Sequence, residues 1–258
     1  MKTDELGSLL RQVNRPKKIA VCTAWGSPFS WTHAAYNMMN LERPKGVEVK
    51  YIPGFGRDPG RRHTWGVEKA LEWGATHVCF LGADQMHDLD ILVKFCKHIE
   101  DGWPMVTALV PIRSWVNYKG ADKPFMRLAW KWKESAIQNG LTDAKFHADY
   151  LDIIDPKDGD LQEAVVVGSG ALIFDMALIN ALEKPWFREA EPDENGWKPA
   201  TMDTTFCWRL VREVGGRMLA DCSIKVVHLD VFPIDETFSE RFADFPRELE
   251  KEKLRTYL

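Results

Sequence analysis

Three residues pair a chemically capable side chain with a place where it would meet a ligand: Asp84, closing the apolar run "HVCFLGAD", His228, closing "KVVH", and Asp203 in "ATMDTTFCWRL". An acid and an imidazole at converging strand ends can share a divalent ion, and such mixed ligation suits Mn²⁺ better than Ca²⁺, while Mg²⁺ keeps more water. Simpler roles exist for both: Asp84 as the cap of a turn or helix, His228 as a buried core histidine. Asp203, at a helix start, either complements the helix dipole or takes a proton from a reacting hydroxyl. The Gly168-Ser169-Gly170 turn lets a ligand approach the backbone closely, although it has neither the length and lysine of a P-loop nor the full G-x-G-x-x-G. In "GFGRDPGRR", Arg57, Arg61 and Arg62 form either a solvated turn or a meeting point for an anion.

These positions depend on the elements that deliver them. Residues 18–25, "KIAVCTAW", read as a first buried strand closed by the Gly26-Ser27-Pro28 turn, and a helix follows in "WTHAAYNMMNL". A second strand is expected over 47–53, then the arginine-bearing loop, then a helix over 63–73 with Val67, Ala70 and Leu71 on one face and Gly74 as its stop. The third strand ends near Asp84, and Asp88 is expected to cap a helix over 89–99. This β-α-β-α-β-α order predicts a parallel, doubly wound sheet, whose ligands bind beyond the carboxyl ends of the strands at a topological switch. After Gly102 the pattern changes to a strand from Met105, hairpin strands over 115–134, and a polar, irregular stretch over 134–163. A strand, glycine turn, strand and helix start follow, then a helix over 202–215 and a last strand over 223–229.

The 258 residues suit one α/β domain, with room for a sub-lobe. A net charge of −4 excludes a global attraction to nucleic acid or anionic membrane, leaving only local basic patches. The five cysteines are scattered without C-x-x-C, which predicts buried thiols in a reducing cytosol. No apolar run approaches the roughly 18 residues that span a bilayer, so no transmembrane anchor and a cytoplasmic location are expected.

Four segments, in this order, resemble the GT-A glycosyltransferases, in particular the family 2-like, nucleotide-sugar-dependent members. "ALEWGATHVCFLGADQMHDLDIL" is similar to the segment in which a strand ends in D-x-D; the last acid matches Asp84, and Gly82 stands where the first would be. "VVVGSGALIF" resembles the glycine-bearing strand pair beneath donor sugar and acceptor. "PWF...MDTTFCWRLVREVGGRMLAD" resembles the segment whose second acid is the base of inverting members, here Asp203, with Met202 replacing the first. "SIKVVHLD" resembles the terminal strand that ends in a metal-binding histidine, here His228.

The resemblance implies a GT-A (Rossmann-like) α/β fold, with a mixed, mostly parallel sheet flanked by helices and a smaller acceptor-side sheet. It implies an N-terminal extension (1–17), a transferase domain (18–229, with a nucleotide-sugar half at 18–100 and an acceptor half at 101–229) and a tail (230–258) packing on the body. The activity implied is sugar transfer from a nucleoside diphosphate sugar, a UDP-sugar favoured, to an unknown hydroxyl, with Mn²⁺ or Mg²⁺ held by Asp84 and His228. Thr23, Ala24, Arg62, Ala83, Asp84 and the Gly168-Ser169-Gly170 turn are the expected donor contacts.

Arg113, Trp115 and Trp186 join Asp203 on the expected acceptor side, with Tyr118, Trp130, Lys131, Trp132 and Trp197 as further flat faces and donors. The alternation "FMRLAWKWK" equally fits an ordinary amphipathic hairpin. A nucleic acid acceptor carrying a modified base would suit a basic, Trp-rich groove. Two rival readings use the same fold: a sugar-phosphate nucleotidyltransferase, which would ordinarily place Arg and Lys directly after the first strand where "TAWGSPFSW" has neither, and a non-catalytic nucleotide-sugar-binding protein, suggested by Gly82 and Met202.

Overall fold

A computed structural model of the protein describes residues 16–24, 32–112, 115–118, 121–124, 129–138, 150–190 and 201–229; over 113–128 only the backbone of two strands is described. The Gly26-Ser27-Pro28 turn, the extension at 1–17 except for its last two residues, the tail at 230–258, Arg113, Trp197 and the side chains of Trp115 and Tyr118 therefore lie outside the described residues.

The first strand, β1 (Lys18–Ala24), pairs in parallel with β2 (Glu48–Gly54) on one side and β3 (His77–Leu81) on the other. Helix α1 (Thr32–Met39) links β1 toward β2, and α2 (Pro59–Trp73) links β2 to β3. The start of α2 departs from the expected loop at 54–62. Asp58 is the N-cap, accepting from the Arg61 N–H at 2.9 Å, and Pro59 occupies the first turn. The Asp-Pro pair is a helix-start signal, so Arg61 and Arg62 belong to the helix rather than to an open loop. Gly74 ends α2 in the left-handed conformation (φ 74°), as its stop position requires.

After β3 the chain makes a tight turn into the short strand β4 (Gln85–His87), then forms α3 (Ile91–Glu100) and β5 (Met105–Ala108). Asp88 does not cap α3. Its carboxylate accepts from Lys94 Nζ at 2.9 Å and from the Lys225 N–H at 3.0 Å, while Asp90 holds the cap position without a side-chain cap bond. Asp88 thus ties this turn to the strand arriving from the far end of the sequence.

A hairpin follows, β6 (Trp115–Tyr118) with β7 (Ala121–Pro124), then β8 (Ala129–Trp132), the short helix α4 (Glu134–Gln138) and β9 (Leu151–Ile153). The stretch expected to be irregular contains β9 and also β10 (Leu161–Ala164), which pairs antiparallel at the edge of the main sheet. Its polar, alternating residues are those of an edge strand with one exposed face. Two-residue β11 (Val166–Val167) joins β8 and β9 in a separate small sheet. Strand β12 (Ala171–Asp175), helices α5 (Met176–Ala181) and α6 (Met202–Arg212), and strands β13 (Met218–Asp221) and β14 (Val226–His228) complete the order.

The seven-stranded sheet runs β10-β13-β5-β12-β3-β1-β2. Five strands point one way; β12, in the middle, and β10, at the edge, run against them. The fold is therefore the expected mixed, mostly parallel α/β sheet flanked by helices with a smaller separate sheet, in keeping with a Rossmann-like fold. Alternation along buried strands divides the core: Ala20, Cys22, Val78, Phe80, Leu172 and Phe174 pack with α2, α5 and α6, and Ile19, Val21, Cys79, Leu81 and Ile173 with α1 and α3. Phe174 meets Phe80 and Phe206 with ring centroids 5.4 Å from each, and Phe206 stacks on Phe187 at 4.2 Å. All five cysteines are buried and none is in a disulfide, and burial pushes the thiols of Cys22 and Cys207 up to about 12. Among the described residues no helix is long and apolar enough to cross a membrane.

Three imidazoles, His63, His77 and His87, are buried, His77 most completely. Burial, opposed by the nearby Asp175 carboxylate, pushes His77 down to about 4 from an ordinary 6.5. The unfolded chain thus takes up a proton near pH 6.5 that the folded chain refuses until about 4, so stability is lost as pH falls through that window. Between pH 7 and pH 5, His77 alone should remove about 2 kcal/mol. Urea midpoints at the two pH values should show the loss, and His77→Leu should reduce it by about that amount, leaving the share of the other buried histidines; an equal slope in that variant would assign the effect elsewhere.

Candidate active site

The chain leaves β1 toward β2 on one side and reaches β3 on the other, so the topological switch lies between β1 and β3, with its crevice beyond their carboxyl ends. Because β12 runs antiparallel beside β3, its start lies at that same end: Ala171 pairs with Leu81. The Gly168-Ser169-Gly170 turn is thereby laid against the turn that carries Gly82, Ala83 and Asp84. The Gly82 N–H donates to Gly170 O at 2.8 Å, which extends the ladder one step past the strands.

Asp84 sits in the turn after β3, not at the strand's end as the sequence suggested, and the strand β14 comes to meet it. β14 pairs antiparallel with β4, His228 opposite Gln85, and the Leu229 N–H donates to Asp84 O at 2.8 Å. His228 Nε2 then stands 3.2 Å from Asp84 Oδ2. The other ring nitrogen, Nδ1, is 2.7 Å from Pro111 O, to which it donates. With the Nδ1 proton committed to that carbonyl, a neutral ring turns the Nε2 lone pair toward a carboxylate oxygen, an arrangement that calls for a proton or a cation between them. Two ligands at about 2.1 Å from one ion, at right angles, stand roughly 3 Å apart. The pair therefore fits a divalent ion, and the Pro111 carbonyl orients the imidazole as outer partners of metal-binding histidines do. Among the described residues no group of three or more His, Cys, Asp or Glu converges.

Asp203, in the first turn of α6, reaches the other end of the glycine turn. Its Oδ2 accepts from the Ser169 N–H at 3.3 Å, while Oδ1 accepts from the Thr204 N–H at 3.0 Å and from the Thr201 hydroxyl. Three donors fix this carboxylate, and the long bond at Oδ2 leaves that oxygen the greater capacity to take a further hydrogen. Met202, where an acid was expected, packs against the core, a place unsuited to a carboxylate.

Gly82, where the first acid of D-x-D was expected, also has a steric cause. A Cβ there would stand 2.4 Å from Gln85 Cδ, and one on Gly170 2.5 Å from Gln85 Nε2. The buried Gln85 carboxamide fills the volume that a side chain at 82 would need. Behind it, His87 Nε2 lies 3.2 Å from Gly170 O and donates to it, and burial pushes this imidazole down to about 4. Neither Gln85 nor His87 was singled out from the sequence. Their spacing puts both on one face of a strand, but three residues, "QMH", are too few to show alternation.

Other expected contacts are placed differently. Thr23 is buried with its hydroxyl on Met38 Sδ at 3.5 Å, so only its backbone faces the strand end, next to half-buried Ala24. Arg62 spends its guanidinium on the Gly56 and Arg57 carbonyls at 3.0 and 3.3 Å, bracing the turn before α2. Trp186 offers no open face: it is 4% exposed, its indole N–H donates to Leu182 O at 3.1 Å, and Lys184 lies over its ring. The β8 segment behaves as an amphipathic strand. Trp132 packs edge-on to Trp208 at 5.2 Å, and Lys131 donates to Asp158 and Gln162 at 3.0 and 2.9 Å.

No protein-family model matches the chain, and no curated protein matches it. Among solved structures, A197 from STIV is 12% identical over 83% of this chain and 86% of that chain, with a TM-score of 0.47. An apo UDP-glucose pyrophosphorylase is 10% identical over 88% of this chain and 81% of that chain, with a TM-score of 0.37. At these similarities neither bears on what this chain does.

The shared slot makes a test of the site's construction. Gly82→Ala should cost about 1–3 kcal/mol by overpacking, and most of that cost should vanish in a chain that also carries Gln85→Ala. Urea unfolding of the four chains of this double-mutant cycle measures the coupling; additive costs would mean that the two residues do not share the slot.

Proposed function

We propose that the protein is a glycosyltransferase that moves a sugar from a nucleoside diphosphate sugar, a UDP-sugar favoured, to a hydroxyl of a saccharide or of a modified nucleobase. The observation that carries this reading is the opposed placement of two centres on one glycine turn. The Asp84–His228 pair stands at one end, suited to a divalent ion, and the donor-fixed Asp203 carboxylate stands at the other. Asp84 and His228 would hold Mn²⁺ or Mg²⁺, which when bound supplies a Lewis acid for the charge that gathers on the departing diphosphate.

The residues divide the remaining work. The acceptor oxygen bonds to the anomeric carbon as the carbon–oxygen bond to the diphosphate breaks, and the electron pair of that bond leaves with the nucleoside diphosphate. Asp203 Oδ2 receives the acceptor's proton, the role expected of the base in an inverting transfer. The Ser169 and Thr204 N–H groups and the Thr201 hydroxyl hold the carboxylate in one rotamer, so little reorganisation is needed as the proton moves. The backbone of the Gly168-Ser169-Gly170 turn admits the sugar, Thr23, Ala24 and Ala83 border the nucleotide, and Arg62 braces the adjoining turn. The acceptor side would draw on Arg113, Trp115 and the surroundings of Asp203.

Nucleotidyl transfer is the competing reading of the same sheet, and products separate the two: nucleoside diphosphate from a sugar nucleotide, or pyrophosphate from a nucleoside triphosphate and a sugar 1-phosphate. A thermal-shift panel of UDP, GDP, CDP and dTDP sugars should show one donor whose stabilisation requires Mn²⁺ or Mg²⁺. Asp84→Ala and His228→Ala should abolish the ion-dependent part of that shift. Asp203→Asn should retain the shift and lower transfer by about 10²- to 10⁴-fold. A donor shift unaffected by EDTA and by Asp84→Ala would defeat the metal assignment.

A further inference from the structure

Between the Asp84–His228 pair and the Asp203 carboxylate the structure keeps a narrow slot, occupied by one side chain. Gln85 is 5% exposed and lies between two glycines whose added Cβ atoms would meet it at 2.4 and 2.5 Å. Neither Gly82 nor Gly170 has a left-handed φ, so the missing side chains serve the carboxamide rather than the path of the chain. A carboxamide offers two donors and an acceptor with two lone pairs, yet Gln85 Oε1 is buried without a hydrogen-bond partner among the described residues. The neighbouring Gly170 carbonyl already accepts from the Gly82 N–H and His87 Nε2. Buried polar atoms are nearly always bonded; Oε1 has almost no exposed surface, so a donor that arrives with a ligand reaches it by a turn of the carboxamide within the slot.

The location says which part of a ligand that is. Gln85 stands directly opposite His228 in the β4–β14 pair, so their Cβ atoms are about 5 Å apart on one face. At the other end, the position of a Cβ on Gly168 is 3.6 Å from Asp203 Oδ2. Gly168 and Gly170 are two residues apart, hence within about 8 Å. A substrate whose diphosphate meets Asp84 and His228, and whose reacting carbon faces Asp203, must lay its sugar over Gln85. We infer that Gln85 reads the transferred sugar, its carboxamide oxygen accepting a hydrogen bond from one of the sugar hydroxyls. This makes Gln85 a specificity residue, and it rests on the transferase reading above.

Gln85→Met keeps the length of the side chain and removes its polar atoms. Isothermal titration in Mn²⁺ with UDP and UDP-glucose, and with GDP and GDP-mannose as a second pair, separates the sugar from the rest of the donor. For the pair that binds, the variant should hold the nucleoside diphosphate within twofold of the parent and the sugar nucleotide about five- to tenfold more weakly. Its ligand-free melting temperature should equal or exceed the parent's, because an unsatisfied buried acceptor is gone. Equal losses on both members of a pair would put the carboxamide under the ribose and overturn the sugar assignment. A lower melting temperature with unchanged affinities would make Gln85 a packing residue and overturn it as well. A parent protein that binds neither pair, nor any other sugar nucleotide, would instead overturn the transferase reading itself.

Discussion

The hydrogen bond from the Gly82 N–H to the Gly170 carbonyl joins two turns that the rest of the site is built on. It exists because β12 enters the sheet against the direction of β3, so that the chain arriving at β12 does so where β3 ends. One turn carries Asp84 and leads into Gln85 and His87; the other carries the backbone that touches Asp203. The same carbonyl also accepts from His87, which fixes both turns against a neutral, buried imidazole. A single antiparallel strand in a mostly parallel sheet thus brings residues from three distant parts of the sequence to one rim.

The charges around that rim are unequally constrained. Asp88 and Asp203 are satisfied by protein donors, and Asp221 likewise, its carboxyl held below the usual range despite burial by hydrogen bonds from Ser223 and His98. The Asp84–His228 contact is of another kind, since the histidine's second nitrogen is already committed to Pro111. Both side chains are half-buried, and the ring nitrogen that faces Asp84 is the one not committed to a backbone carbonyl.

Much of the frame was legible from the residues. Long apolar runs bounded by Gly and Pro announced β1, β3 and β12, and the alternation of strand and helix announced the sheet. Asp84, His228, Asp203 and the glycine turn were found because each closes or opens such an element. What escaped notice was short or relational. The Asp58-Pro59 helix start lies inside a Gly- and Arg-rich segment whose composition is that of a loop, and its capping bond exists only in the folded turn. β4 is too short for a periodic signal, and with it went Gln85 and His87. Gly82 read as a lost acid, although its smallness answers a side chain three residues on, which only the folded contact reveals. Trp186 read as a binding face because sequence alone does not distinguish a ring that covers a ligand from one that fills a core.

The β4–β14 ribbon has a consequence for how the protein comes into being. Its two strands lie far apart in the sequence, and closing so long a loop is entropically unfavourable until other contacts have formed. The sheet from β1 to β3 can assemble from nearby segments, whereas the partner of Asp84 is among the last described residues to leave the ribosome. The ribbon that sets His228 beside Asp84 therefore closes after the sheet from β1 to β3 has formed, which makes the contact between these two side chains one of the later ones in folding.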